Sequence, residues 1–227
     1  MATIGIDGDD TLWHNEGLFR DVEAQFHSLV GQHYVGDDIA QQLLAVEHRN
    51  VAMYGYGAKS FMLSMIETAV ALTDGVIASS EIASIIELGH ELLREPVVLI
   101  DGVADAVADL AKDHELHLIT KGDLVNQQHK VDLCGLTQLF REVHIVAEKD
   151  PNSYRSILTA HNIALDDFVM VGNSAKSDVL PVLDIGAWAI HVPYRITWAA
   201  ELVESPAHEF PVVDGLNEVA ALVESRF

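Results

Sequence analysis

The sequence predicts an α/β fold, a parallel sheet flanked by helices and interrupted early by a purely helical block. Three observations carry this. An apolar run, Thr3-Ile4-Gly5-Ile6, ends abruptly in the acids Asp7, Asp9 and Asp10. Residues 15–97 hold no convincing strand. From residue 98 onward, apolar runs of strand length alternate with helical periodicity, the pattern of parallel strands joined by right-handed helical crossovers.

Taken in order, the first run is a strand that delivers Asp7 to the C-terminal edge of the sheet, where open α/β sheets bind ligands. Four helices follow, over 15–29 and 37–53, from near Ala58 and from near Ser80, where Ser80-Glu81 precedes an apolar run. Tyr54-Gly55-Tyr56-Gly57 and Thr73-Asp74-Gly75 punctuate them. The sheet domain is therefore discontinuous, 1–14 with 98–227, and 15–97 is a helical insert. Val103, Val107, Leu110 and Ala111 share one helical face. Strands are predicted over 115–120, 143–146, 168–172 and 187–192, with a short one over 211–213. Helices are predicted over 125–133, near Leu136, over 154–161 and over 216–223.

Composition narrows the function. Thirteen basic residues against 35 acidic ones give a net charge of −22. Such a surface repels phosphate backbones and anionic lipid, so neither nucleic acid nor membrane is an expected partner. An anionic substrate must then meet a local positive site. The single cysteine, Cys134, forms no intramolecular disulfide and reads as a packed small side chain. No apolar stretch reaches the roughly 18 residues that span a bilayer. No basic leader precedes the first strand, and the expected setting is soluble and cytoplasmic.

The chemistry gathers at strand ends. Asp7 is placed to attack an electrophile and Asp9 to pass a proton. The strand over 115–120 runs into Thr120-Lys121-Gly122-Asp123, a hydroxyl followed by a turn whose N–H groups can hold an anion. Lys149 follows the next strand, in Glu148-Lys149-Asp150-Pro151. The fourth strand ends in Gly172-Asn173-Ser174-Ala175-Lys176-Ser177-Asp178. A parallel sheet brings all four ends to one edge.

In these motifs the chain resembles the haloacid dehalogenase superfamily of hydrolases over essentially its whole length. That family's first motif matches Asp7-Gly8-Asp9-Asp10-Thr11, its second Thr120, its third Lys149 and its fourth Gly172 to Asp178. One departure stands out: Asn173 occupies a position where members often carry an acid, so the metal role passes to Asp178. The resemblance implies a Rossmann-like core, with the helical insert acting as a cap. It also implies a Mg²⁺-dependent phosphatase of a small phosphorylated metabolite, working through an aspartyl-phosphate on Asp7. Asp7, Asp178 and the Asp9 carbonyl would hold the metal. Gly8, Thr120, Lys121 and Lys149 would hold the phosphate, and Asn173 would offer a neutral oxygen or orient its neighbours. A phosphomutase, a 2-haloacid dehalogenase and a noncatalytic small-molecule binder are the competing readings.

Other residues read more plainly. Asp10 tightens its loop, Asp123 caps a helix, and Asp150 divides equally between a cap and a partner of the site. Lys130 is expected on a solvated helix face and Lys176 at the surface. Asp184 is structural. Trp13, His14, Tyr54, Tyr56 and Lys59 are the candidate substrate contacts, with Arg20 in the insert and Arg195 and Trp198 after the fifth strand as weaker ones. The 12 histidines suggest no zinc site.

Overall fold

A computed structural model describes residues 1–203 and 208–227. The chain forms two compact units, one of residues Met1–Glu16 and Val97–Phe227, the other of Gly17–Pro96. Among the described residues no helix is long and apolar enough to cross a membrane.

The first unit is built on five parallel strands: β1 (Thr3–Ile6), β2 (Glu115–Lys121), β3 (Glu142–Val146), β4 (Phe168–Gly172) and β5 (Trp188–His191), in the order β3-β2-β1-β4-β5. β1 is central, so both its neighbours come from more than 100 residues later in the chain. Its side chains are buried on both faces, which is why it reads as continuous apolar sequence and not as an alternation. Ile4 and Ile6 join Leu116, Leu118, Val169 and Val171 in one core layer. The opposite face carries Ile119, Phe168 and Met170. Gly5 points into that second layer, and a methyl group there would fall 2.9 Å from Ile119, Met170 and Phe168. Glycine lets the central strand lie flat beneath larger neighbours.

The second unit contains α1 from Gly17 onward (α1 is Glu16–Val30), α2 (Ile39–Tyr54), α3 (Ala58–Leu72) and α4 (Ser79–Arg94). Phe26, Leu43, Met65, Ala69 and Ile85 are buried in its own core. Inside it, Asn50 Nδ2 donates to Ser64 Oγ at 3.1 Å, satisfying a buried polar pair.

Back in the sheet unit, α5 (Val103–Asp113), α6 (Leu124–Leu133) and α9 (Val219–Arg226) contribute Val107, Val131 and Val223 to the first layer. On the other face, α7 (Pro151–His161) and α8 (Leu180–Asp184) contribute Tyr154, Leu158 and Val182. Three expectations need correction. The predicted strand over 211–213 is a single bridge, Val212 to His191, because only Pro211 and Val213 exchange backbone hydrogen bonds with His191. The helix expected near Leu136 is one 3₁₀ turn, Thr137–Leu139. The helix expected over 216–223 opens with a 3₁₀ turn at Leu216–Glu218.

Candidate active site

Each polar side chain at the C-terminal edge is set by a local device. Asp7 continues β1, its N–H donating to the Val171 carbonyl at 2.9 Å. The loop beyond turns tightly: Leu12 N–H returns to the Gly8 carbonyl at 2.8 Å, and Asp10 takes a left-handed φ of 60°. Asp10 is buried and accepts from the N–H groups of Asn15 (2.8 Å) and Glu16 (2.9 Å), so it ties the loop to the start of α1. Burial raises its pKa to about 6 against those N–H donors. Asp123 caps α6 by accepting from Asn126 N–H, and Asp150 caps α7 by accepting from Ser153 N–H at 2.7 Å, which decides its even choice for the cap. After β4 the chain winds through a π-helical turn, Ala175–Val179, held where Tyr154 Oη donates to the Ser177 carbonyl at 3.0 Å. Gly172 is needed beneath it: a Cβ there would sit 2.2 Å from Asp178 Oδ2.

These devices bring three residues of distant sequence together. Lys149 Nζ donates to Asp7 Oδ1 at 2.5 Å and to Asp178 Oδ1 at 2.6 Å, with all three side chains buried. Thr11 Oγ lies 3.1 Å from Asp7 Oδ2 and accepts from Asn173 N–H at 3.1 Å, and Ser174 N–H donates to Asp178 Oδ2 at 2.9 Å. Burial and then the Asp178 charge push the Asp7 pKa up to about 7, against the pull of Lys149. For Lys149, burial works against the ammonium, but Asp178 and Asp7 outweigh it and hold the group charged above its usual range.

The pocket therefore carries more carboxylate than one lysine neutralises. Its donors are all oxygens: Asp7, Asp178 and the Asn173 amide, whose oxygen is 3.3 Å from Thr11 Oγ. Among the described residues no three acidic, imidazole or thiol groups form a ready cage for a metal. A buried pair of acids with an excess of negative charge fits a hard cation that keeps most of its waters, as Mg²⁺ does.

The remaining candidates fall into place. Thr120 is buried, its Oγ accepting from Gln127 Nε2 at 2.7 Å. Gly8 packs so tightly that a Cβ would meet Trp13 at 2.6 Å and Thr120 Oγ at 3.2 Å. Lys121 turns its ammonium to Glu201 (2.7 Å), Ser177 (2.8 Å) and Glu148 (3.5 Å), and its carbonyl accepts from Gln127 Nε2 at 3.1 Å. Trp13 is buried, and its Nε1 donates to Asp9 Oδ1 at 2.6 Å, so it supports Asp9 from within the core. His14 meets the Tyr194 hydroxyl at 2.6 Å. Arg195 lies over the Tyr194 ring, 5.6 Å from its centre. Tyr54, Tyr56, Lys59 and Arg20 belong to the helical unit, where Arg20 pairs with Glu23.

Two groups escaped the sequence reading. Lys130, expected on a solvated face, instead reaches Asp9 Oδ1 at 2.7 Å and Asn15 Oδ1 at 2.8 Å. Glu201, at the end of a 3₁₀ turn (Ala199–Glu201) after β5, accepts from Ser174 and Ser177 hydroxyls at 2.5 and 2.6 Å as well as from Lys121. Burial would raise its pKa, but Lys121 and the two hydroxyls hold it below the usual range. Lys176 is exposed, as read, and bonds the Ala200 carbonyl.

A model of haloacid dehalogenase-like hydrolases matches residues 1–186. The chain belongs to this family. A haloacid dehalogenase-like hydrolase from Xanthomonas campestris, solved by crystallography, is 43% identical, with 99% of this chain and 91% of that one covered and a TM-score of 0.87. The L-2-haloacid dehalogenase of Xanthobacter autotrophicus shares the fold at 16% identity, with both chains fully covered and a TM-score of 0.67. YfnB of Bacillus subtilis, in a form bound to magnesium, shares it at 13% identity, over 98% of each chain, with a TM-score of 0.69. The N-acylneuraminate-9-phosphatase of Mus musculus is 26% identical over 134 residues, 57% of this chain and 53% of the mouse protein, so the match spans about half of that relative.

Proposed function

We propose that this hydrolase is a Mg²⁺-dependent phosphatase that releases phosphate from a small phosphorylated metabolite by way of an aspartyl-phosphate on Asp7. The convergence of Asp7, Lys149 and Asp178 carries the reading. A phosphate monoester bears two charges that repel a carboxylate nucleophile. Lys149, held charged between the two acids, offsets that repulsion and lies where charge gathers on the transferring group. Thr120 Oγ and the N–H groups of the Gly8 and Lys121 turns hold the phosphoryl oxygens. Asp9 protonates the departing alcohol and then takes a proton from the attacking water. Asp7, Asp178 and the Asp9 carbonyl would hold Mg²⁺, which when bound neutralises phosphate oxygens; the magnesium-bound relative YfnB supports this choice of ion. By its family resemblance the helical unit takes the part of a cap that selects the substrate. Within this reading the protein works in the cytoplasm, on small molecules and not on nucleic acid, in keeping with its charge of −22.

A panel of phosphorylated metabolites, assayed for released phosphate with Mg²⁺ and with EDTA, tests this. Turnover that needs the metal and disappears in Asp7→Asn is expected. Failure of every ester in the panel sinks the reading. Asn173, a neutral amide beside Thr11, favours one second reading, attack by Asp7 on the carbon of a 2-haloacid without a metal. Chloride release from 2-chloropropionate in EDTA would establish it.

A further inference from the structure

α6 turns an unexpected face to the sheet. Gln127 and Val131 are its buried positions, while Leu124, Val125 and Leu133 are exposed. Gln127 and Lys130, three residues apart, lie on neighbouring positions of one helix face, and both reach Asp9. Lys130 Nζ and Trp13 Nε1 donate to the same oxygen, Asp9 Oδ1, at 2.7 and 2.6 Å. Gln127 Nε2 reaches Oδ2 at 3.2 Å, but that amide also serves Thr120 Oγ and the Lys121 carbonyl. The lysine and aspartate side chains are 15% and 26% exposed, so this is a sheltered pair and not a solvated surface contact. A carboxylate offers about two acceptor sites on each oxygen. Among the described residues, two donors meet Oδ1 and one, a shared amide, meets Oδ2.

We propose that Lys130 is a positioning residue for the acid of the reaction: with Trp13 it pins Asp9 through Oδ1 and leaves Oδ2 as the oxygen that carries the proton. This rests on the phosphatase reading above. In that step an Asp7 oxygen bonds to phosphorus and the ester P–O bond breaks. Its electron pair stays on the alcohol oxygen, which takes the proton from Asp9 Oδ2 and leaves as the neutral alcohol.

The dependence on leaving group tests the assignment. An alkyl alcohol must be protonated as it departs, whereas p-nitrophenolate and acetate are stable anions. kcat/KM reports the steps through aspartyl-phosphate formation, so it isolates departure of the alcohol. Lys130→Met should lower kcat/KM for the best alkyl phosphate of the metabolite panel about tenfold or more, within the 10²–10⁴ that a positioned acid supplies. On p-nitrophenyl phosphate or acetyl phosphate the loss should stay within about threefold. Lys130→Gln, which also lacks the charge, should behave alike, and thermal unfolding of both variants identifies those that fold. Equal losses on both ester classes in a folded variant, or no loss on either, would overturn the role of Lys130 while wild-type turnover leaves the phosphatase reading standing. A wild-type protein inert to the whole panel removes both.

Discussion

Lys149 and Asp7 stand 142 residues apart in the chain and 2.5 Å apart in space, and the same ammonium also holds Asp178. This buried contact of one cation with two acids is asymmetric. Removing the lysine strands two like charges, whereas removing one acid leaves a balanced pair. The asymmetry separates stability from activity.

Lys149→Met should therefore cost both. Breaking a buried pair by removing one partner costs about 3–5 kcal/mol, and here both acids lose their cation. Urea unfolding should show a midpoint well below wild type, and phosphate release should fall by at least about 100-fold. A variant with unchanged stability would mean that the two acids do not depend on this lysine.

Asp7→Asn should part the two properties. It removes the nucleophile and so abolishes turnover, yet it also removes an acid that burial already disfavours in its charged form. The thermal midpoint is expected to match or exceed that of wild type. A clear fall in the midpoint would count against an excess of negative charge in the pocket.

Gly8→Ala tests the packing behind Asp9. The new methyl would lie 2.6 Å from Trp13, whose indole donates to Asp9. Overpacking of this kind costs about 1–3 kcal/mol. Stability should drop by that order, and kcat should fall with it as Trp13 shifts. Full activity would show that the indole has room to move without carrying Asp9 along.

A pH effect is expected from the other end of β2. His117, His144 and His161 cluster with ring centres 5.0–5.3 Å apart, Glu115 accepting from or facing His117 at 3.2 Å. Burial first, then His117 and His161, lower His144 to about 4, against Glu142, and burial lowers His117 against Glu115. At this cluster the folded state thus binds fewer protons than the unfolded one below the ordinary histidine pKa, so the cluster's own contribution is whole above about pH 6.5 and declines as the pH falls toward 4. Asp7 and Asp10, raised to about 7 and about 6, act in the opposite sense over the same range, so the cluster is read by difference. The stability of wild type relative to His144→Gln, from urea midpoints at pH 7 and pH 5, should fall at the lower pH.

Much of this site was legible in the sequence because parallel strands announce themselves twice, by an apolar run and by the polar residues at its end. Asp7, Thr120, Lys149 and Asp178 each follow such a run, and topology alone brings those ends to one edge. Lys130 was misread for a physical reason. Its helix exposes Leu124, Val125 and Leu133 and buries Gln127, so hydrophobic periodicity turns α6 the wrong way. The useful signal was the spacing of Gln127 and Lys130 downstream of the Asp123 cap. Glu201 lies outside any periodic segment, one acid among 35, and nothing local marks it. The strand over 211–213 failed because three residues beside an edge strand form only one bridge.

The central place of β1 has a consequence for biosynthesis. The strand that leads into Asp7 leaves the ribosome well before its two neighbours, residues Glu115–Lys121 and Phe168–Gly172. At about 5–20 residues per second, the nascent chain waits some 10–30 s before both flanks exist. The α1 to α4 segment, whose contacts are local, has time to form in that interval, while four apolar-rich residues stay unpaired in reach of chaperones.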